Sequence, residues 1–216
     1  MLDSFLRSLR VGIYGDKAKN EQNEADVEYN AALEQAISAL QDAGAVITRD
    51  VPCIVPESHW KLIGNPISKH EFKSAINSYL KYSGVYGNRN TISSLKDIVE
   101  FNEAHKDKCL KYGQNLLIEC QEETSGRLIE PDYIKALRYR ETAIKDFDKV
   151  FTDNNFDILI LASQFDETAP LLGFPSGTIP FAVRENDVPM GMYFIARRFD
   201  EVNLIRAMYA AEQLIA

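Results

Sequence analysis

The feature that most constrains the fold is a short apolar run at residues 156–162, which directly follows a polar turn at 152–155. A run of this length behind turn residues predicts a buried strand. Two further strands are predicted at 177–183 and 190–197, and a closing helix from Asp200. Residues 184–187 separate those two strands and contain Asn and Asp, which favours a tight antiparallel hairpin.

The first quarter of the chain predicts a strand, a helix and a second strand, at 10–14, 24–43 and 46–51. Gly44 lies where a left-handed helix cap is expected, and the order favours a parallel pair of strands. The helix is indicated by apolar residues at helical spacing, namely Tyr29, Leu33, Ala36, Ile37 and Leu40.

Residues 56–153 contain no strong strand pattern, and helices are predicted near 68–82, 95–121 and 131–151. The predicted fold class is therefore α/β, with a mixed β-sheet flanked by helices. No linker or repeat divides the chain, so residues 1–216 are expected to form one α/β domain.

The charge balance argues against nucleic acid or a membrane surface as the main partner, since the formal net charge is -8. Three cysteines without close spacing favour reduced thiols and a cytoplasmic location. No cofactor motif is present: Gly12 and Gly15 do not make a G-x-G-x-x-G pattern, and we expect neither a cofactor nor a metal.

The histidines and serines carry weak chemical signals. His105 and Cys109 are four residues apart on a predicted helix, but no second pair of ligands accompanies them, so a solvated helix face is the better interpretation. Ser176 is followed by a strand and has no downstream histidine, which predicts a turn residue whose hydroxyl bonds the backbone rather than a nucleophile. Ser93 and Ser94 stand at a helix start and are expected to cap it.

An ordered set of motifs resembles the later part of amidase signature family enzymes. Residues 173–180 (Gly-Phe-Pro-Ser-Gly-Thr-Ile-Pro) resemble that family's Pro-Ser strand, and residues 188–192 (Val-Pro-Met-Gly-Met) resemble its turn into the next strand. Residues 199–213 resemble the closing helix, residues 101–105 and 112–114 a helical segment, and residues 9–13 the strand that opens the later half. The resemblance implies a partial amidase-signature fold.

Members of that family cleave carboxamides with a serine nucleophile, a second serine on a cis peptide and a lysine, next to glycine-rich amides that form an oxyanion hole. No Gly-Gly-Ser-Ser-like run occurs in these 216 residues, so no position inherits a catalytic role. The resemblance therefore implies a C-terminal portion of an amidase that is inactive alone. A small amide substrate would bind only in the complete enzyme, and a complementing N-terminal half is the implied partner.

Four residues beyond the carboxyl end of the strand at 157–162, or close to it in the loop that follows, are candidates for the wall of a substrate pocket: Ser163, Gln164, Phe165 and Phe174. For the two aromatic residues, packing in the core or in a loop is the alternative. Two other functions stay open: a stand-alone binding or scaffold domain derived from this fold, and an unrelated α/β enzyme that uses His59, His70 or His105. A sheet without its usual neighbours would also favour a homo-oligomer that covers the exposed surface.

Overall fold

The computed structural model describes residues 5–15, 24–54, 60–83, 92–163 and 167–215. The chain groups into two compact units, which we call the sheet unit (Met1–Pro56 with Thr142–Ala216) and the helical unit (Glu57–Glu141). The assignment of residues 1–216 to one domain stays a prediction, because cooperative unfolding of the two units is a separate measurement.

A five-stranded mixed sheet organises the sheet unit, as predicted. Its strands, in chain order, are β1 (Arg10–Tyr14), β2 (Val46–Val51), β3 (Ile158–Leu161), β4 (Ser176–Val183) and β5 (Pro189–Ala196). The spatial order is β2-β1-β3-β5-β4. β1 pairs in parallel with β2 and β3, whereas β5 pairs antiparallel with β3 and β4. The predicted hairpin is confirmed, and its turn is closed by the Arg184 amide, which donates to the Val188 carbonyl at 2.9 Å.

The helices in chain order are α1 (Glu24–Asp42), α2 (Asn65–Ser83), α3 (Leu95–Ala104), α4 (Lys106–Cys109), α5 (Asn115–Glu122), α6 (Pro131–Asn154), α7 (Thr168–Leu172) and α8 (Glu201–Ile215). A π-helical turn at Trp60–Gly64 leads into α2. The single helix predicted over 95–121 is wrong. It is interrupted at His105 and again at residues 110–114, where Gly113 has φ 76°, a conformation that glycine adopts without steric cost.

One face of the sheet packs on α1 and α8. The predicted stripe of α1 is buried throughout, and it joins alternate residues of β1, β3 and β5 in one apolar cluster. Full burial of one such side chain contributes about 1.5–3 kcal/mol, so this stripe rather than helix propensity holds α1 in place. The helix ends as predicted at Gly44, with φ 100°, where the Ala45 amide donates to the Leu40 carbonyl at 3.0 Å.

The opposite face of β1 and β3 is covered by an aromatic cluster. Phe147 of α6 is fully buried, and its ring meets Tyr14 edge-on at 5.3 Å between centroids. Phe147 also contacts Phe151 at 5.7 Å and Phe174 at 4.7 Å, again edge-on. Edge-to-face contacts are the favoured geometry for aromatic rings, so this cluster fixes the last turns of α6 against the sheet.

Candidate functional site

The carboxyl ends of the three parallel strands lie in one row. Tyr14 pairs with Val51 on one side and with Leu161 on the other. Gly15, Pro52 and Ser163 therefore lie at or just beyond one edge of the sheet. Ligands of open α/β sheets bind outside this edge, which makes it the candidate site.

Tyr14 is the last residue of β1 and contacts the segment that follows β2. Its side chain is fully buried, and its hydroxyl accepts a hydrogen bond from the Ile54 amide at 3.2 Å and lies 3.5 Å from the Cys53 Sγ. The hydroxyl thus holds the segment that follows β2 against the end of β1. Ring packing on Phe147 fixes the other side of the same residue.

Tyr29 connects α1 to the same edge of the sheet. Its buried hydroxyl lies 3.2 Å from the Ser163 carbonyl oxygen and 3.5 Å from the Gly191 carbonyl oxygen, so its one proton is shared between two acceptors. Burial raises the pKa of Tyr29 to about 12, so the hydroxyl remains a donor at neutral pH. The sequence marks Tyr29 only as a core residue, since no local pattern indicates a contact across 134 positions.

The four pocket-wall candidates have different placements. Ser163 is partly buried next to Tyr29, whereas Gln164 and Phe165 lie outside the described residues. Phe174 is 4% exposed and packs edge-on against Phe147 and parallel to Phe151, with centroids 6.1 Å apart. Their role as a pocket wall stays a prediction.

The expectation for Ser176 is wrong in its details. Ser176 is the first residue of β4, and its Oγ accepts a hydrogen bond from the Tyr193 hydroxyl at 2.8 Å instead of bonding the backbone. The turn lies earlier in the chain, because Gly173 has φ 74° and caps α7 through its amide and the Ala169 carbonyl, at 2.8 Å. Ser94, in contrast, caps α3 as predicted and accepts from the Asp97 amide at 3.3 Å.

An open cleft of about 200 Å³ lies beside the candidate edge, within the sheet unit. Val51, Pro52 and Ile54 form one side of it, and residues of α6 from Asp146 to Asn154 form the other. Lys149 Nζ lies 3.7 Å from the Asp146 carboxylate at the surface. The cleft is smaller than a typical small-molecule pocket, which ranges from about 300 to 1,000 Å³.

The histidines do not converge on a common site. His105 is exposed and its Nδ1 lies 2.8 Å from the Phe101 carbonyl of the preceding helix α3, and Cys109 is also exposed. His59 lies outside the described residues. Among the residues that the structure describes, no three potential metal ligands come together.

His70 is a buried structural residue of the helical unit. Its Nε2 lies 3.0 Å from Asp132 Oδ2, and its Nδ1 lies 3.5 Å from Glu130 Oε2. The hydrogen bond to His70 holds the pKa of Asp132 below its usual value. Hydrogen bonds from Ser125 lower the pKa of Glu130 to about 2. His70 therefore binds Asp132 in the first turn of α6, where acidic groups are favoured by the helix dipole, and lies near Glu130, the residue before that helix.

Comparison with known proteins decides the family, because the amidase family model matches residues 2–172. The chain belongs to the amidase family. It is 25% identical over 195 residues to a probable amidase of Arabidopsis thaliana, covering 87% of this chain and 36% of that protein. It is also 35% identical over 103 residues to one component of the glutamyl-tRNA(Gln) amidotransferase of Syntrophomonas wolfei subsp. wolfei, covering 38% of this chain and 20% of that protein.

Solved amidase structures share the fold. The peptide amidase from Stenotrophomonas maltophilia matches with a TM-score of 0.80 and 25% identity, over 99% of this chain and 44% of that one. An amidase family protein from Bacillus anthracis matches with a TM-score of 0.79 and 24% identity, over 100% of this chain and 40% of that one. The chain thus spans well under half the length of these relatives.

Membership of the amidase family confirms the resemblance seen in the motifs and removes the alternative of an unrelated α/β enzyme built on histidines. Within the described part of the chain, no helix has the length and apolar character required to cross a bilayer.

Proposed function

We propose that these 216 residues supply the C-terminal portion of an amidase-type amidohydrolase and do not cleave amides by themselves. The complete enzyme would hydrolyse a carboxamide C–N bond to a carboxylate and ammonia or an amine. One observation carries the proposal: the chain matches the amidase family over residues 2–172 but contains no Gly/Ser-rich run that would provide the two serines and the lysine.

The chemical reason is that amide cleavage by this family proceeds through a covalent acyl-enzyme, which requires an activated serine. The serine hydroxyls that the structure places in hydrogen bonds have other partners. Ser38 donates to the Glu34 carbonyl, Ser94 accepts from the Asp97 amide, and Ser176 accepts from Tyr193. Ser93 Oγ donates to Asp97 Oδ2 at 3.0 Å in an exposed contact at the start of α3, and none of these four hydroxyls has a lysine or a second serine as its partner in these bonds.

The contribution of this chain would then be to shape the site. Ser163, Gln164, Phe165 and Phe174 are proposed to wall the pocket for the acyl part of the substrate, with Tyr29 holding the Ser163 carbonyl. The proposed partner is an N-terminal amidase segment, with self-association as the further possibility for covering the sheet. We also propose a cytoplasmic location, in keeping with three cysteines without close spacing. The acidic net charge of -8 favours neither nucleic acid nor membrane as a main partner.

The test is an amidase assay of the purified chain. Release of ammonia from benzamide and from a C-terminally amidated peptide is measured, with the peptide amidase of Stenotrophomonas maltophilia as the active control. We expect no turnover above buffer and no labelling by a fluorophosphonate probe of activated serines. Addition of an N-terminal amidase segment that supplies the serines and the lysine is expected to restore turnover.

Turnover by the chain alone would contradict the proposal if it disappears in Ser163→Ala or Ser176→Ala, because the nucleophile would then lie within this chain. Turnover that survives both substitutions and scales with a contaminant across purification fractions would leave the proposal standing. The alternative of a stand-alone binding domain predicts ligand-dependent thermal stabilisation without any complementing segment, through preferential binding to the folded state.

A further inference from the structure

His70 is a buried histidine of α2 whose ring lies between two carboxylates. Its side chain is 3% exposed. Nε2 lies 3.0 Å from Asp132 Oδ2, and Nδ1 lies 3.5 Å from Glu130 Oε2. We call these three residues the His70 cluster. It joins α2 to the segment that leads into α6, within the helical unit.

A neutral ring satisfies one side of this cluster and not the other. Neutral imidazole has one N–H donor and one lone pair, whereas the imidazolium has two donors. When Nε2 donates to Asp132, the lone pair of Nδ1 faces the Glu130 carboxylate, and no described residue donates a hydrogen bond to Nδ1. Two facing acceptors in a buried place are unfavourable, whereas a second N–H would bond Glu130.

Both carboxylates stay charged over the range in which a histidine titrates. Glu130 Oε1 accepts from the Ser125 amide at 2.8 Å, and Oε2 accepts from the Ile129 amide at 3.0 Å, which holds the carboxylate near Nδ1. Hydrogen bonds from Ser125 lower the pKa of Glu130 to about 2, and the hydrogen bond with His70 lowers the pKa of Asp132. Between about pH 5 and about pH 8, the histidine is therefore the member of the cluster that changes charge.

Other ionisable groups lie on the elements around the cluster. They are Lys69, Glu71 and Lys73 of α2, Glu119 and Glu123 of α5, and Tyr133 and Arg140 of α6. Lys69 forms ion pairs with the two glutamates of α5, and burial keeps Tyr133 neutral by raising its pKa. Lys73 donates to the backbone carbonyls of residues 121 and 124, at 2.6 Å each, and its positive charge opposes protonation of His70.

Burial opposes a charged ring, but here it also penalises the neutral one. An ionised group loses hydration when it is buried, which favours the neutral form. The neutral form of His70 leaves Nδ1 unsatisfied in the same buried place, whereas the charged form gains an ion pair at each nitrogen. The geometry therefore favours the charged form.

We propose that the His70 cluster is a pH-sensitive contact, which holds the segment before α6 on α2 when His70 is protonated and loosens it when His70 is neutral. An unfolded histidine titrates near about pH 6.5. Because the folded chain binds the proton more tightly, the stabilisation is fully present below about pH 6.5 and is lost as the pH rises above it. The contact needs no amide substrate and no catalytic residue, so its test is separate from that of the amidase proposal.

The segment that the cluster holds has a strained backbone. Leu128 has φ 60°, a left-handed conformation that is costly for a leucine. Glu130 ties this turn down through its bonds from the Ser125 and Ile129 amides. Loss of the ion pair at Glu130 is therefore expected to loosen residues 125–130 before the rest of the helical unit.

The experiment is amide hydrogen exchange of the whole chain at about pH 6 and about pH 8, read in peptides that cover residues 125–133 and corrected for the intrinsic exchange rate. We expect protection of these peptides to be about three- to tenfold higher at the lower pH. His70→Gln should remove this difference, because an amide side chain does not titrate. His105→Gln is the matched control and should keep it, because His105 is exposed and its Nδ1 faces the backbone carbonyl of Phe101 rather than a carboxylate.

Equal protection of residues 125–133 at the two pH values overturns the proposal. So does higher protection at the higher pH, since burial would then dominate and the folded chain would prefer the neutral ring. A pH difference that survives in His70→Gln belongs to another group and also contradicts the proposal. If circular dichroism shows that His70→Gln is unfolded, Glu130→Gln replaces it, and an unchanged pH difference in that variant has the same consequence.

Discussion

Arg10 and Asp157 join the amino ends of β1 and β3 through several hydrogen bonds and an ion pair. The Arg10 amide donates to Asp157 Oδ2 at 2.9 Å, its Nε donates to the same oxygen at 3.1 Å, and its Nη2 donates to Oδ1 at 2.8 Å. The Asp157 amide returns a bond to the Arg10 carbonyl at 2.9 Å. We expect Asp157→Asn to destabilise the sheet unit, because it removes the charge while keeping the shape.

The size of the effect follows from geometry and exposure. Hydrogen bonds to charged groups contribute about 1.5–3 kcal/mol, but the Arg10 and Asp157 side chains are 41% and 29% exposed, so we expect about 1–2 kcal/mol. The control is Glu34→Gln, which breaks the contact of Glu34 with Arg49 at 2.6 Å. Both of those side chains are more than a third exposed, and the expected loss is below about 0.5 kcal/mol.

The assay is urea unfolding followed by circular dichroism, with hydrogen exchange in β1 and β3 to assign the transition to the sheet unit. With a slope of about 2 kcal/mol per molar urea, Asp157→Asn is expected to lower the midpoint by about 0.5–1 M. If Glu34→Gln lowers the free energy of unfolding as much as Asp157→Asn does, the bidentate geometry and partial burial of the Arg10–Asp157 pair add no stability.

The stability lost in Asp157→Asn also depends on pH. Burial of the Asp157 carboxyl opposes ionisation, but hydrogen bonds and charge from Arg10 outweigh burial and lower the pKa of Asp157. The stabilisation is therefore full above the unfolded pKa of about 3.9 and is lost as pH falls through the lower folded value. The difference between wild type and Asp157→Asn should shrink as pH falls below about 3.9. A difference that is the same at neutral and acid pH would refute the reasoning.

Four further substitutions test the packing and the polar contacts. Gly12→Ala should cost about 1–3 kcal/mol, because the added Cβ would lie 2.8 Å from Leu159 Cδ2 in a buried strand. Gly177→Ala should destabilise the protein less than Gly12→Ala. Its added Cβ would lie 2.5 Å from the Met208 Sδ, but the flexible thioether side chain can move aside. The urea midpoints of the two variants decide this ranking. Tyr29→Phe should lower the free energy of unfolding by about 1 kcal/mol and speed amide hydrogen exchange in peptides containing Ser163. Unchanged exchange would show that the hydrogen bond from Tyr29 does not hold the Ser163 carbonyl in place. Ser94→Ala should cost about 1 kcal/mol, with faster exchange confined to the start of α3.

Much of the secondary structure followed from local patterns. The stripe of α1 repeats at helical spacing, β3 is a continuous apolar run, and the segment between β4 and β5 carries tight-turn residues, so neighbouring residues determine all three. Local patterns mispredicted one segment, in which helix-favouring residues stand beside helix-ending backbone conformations. The segment 95–121 is helical in composition, but the geometry at His105 and Gly113 divides it into three helices.

The candidate site was less accessible to sequence reasoning. The edge formed by Tyr14, Val51 and Leu161 depends on strand register, and the roles of Tyr29 and Ser176 depend on contacts across 134 and 17 positions. The burial of His70 between Glu130 and Asp132 likewise joins residues that are far apart in the chain, 62 positions in the case of Asp132. Such contacts leave no periodic trace.

The sequence by itself determined the elements, the α/β class and the family resemblance, because side-chain period, turn chemistry and motif order are properties of short stretches of chain. Only the tertiary structure decided which hydroxyls face which carbonyls and which aromatic residues cover the sheet. The physical reason is that hydrogen bonds and packing act over a few ångströms in space, between groups whose separation along the chain is unconstrained.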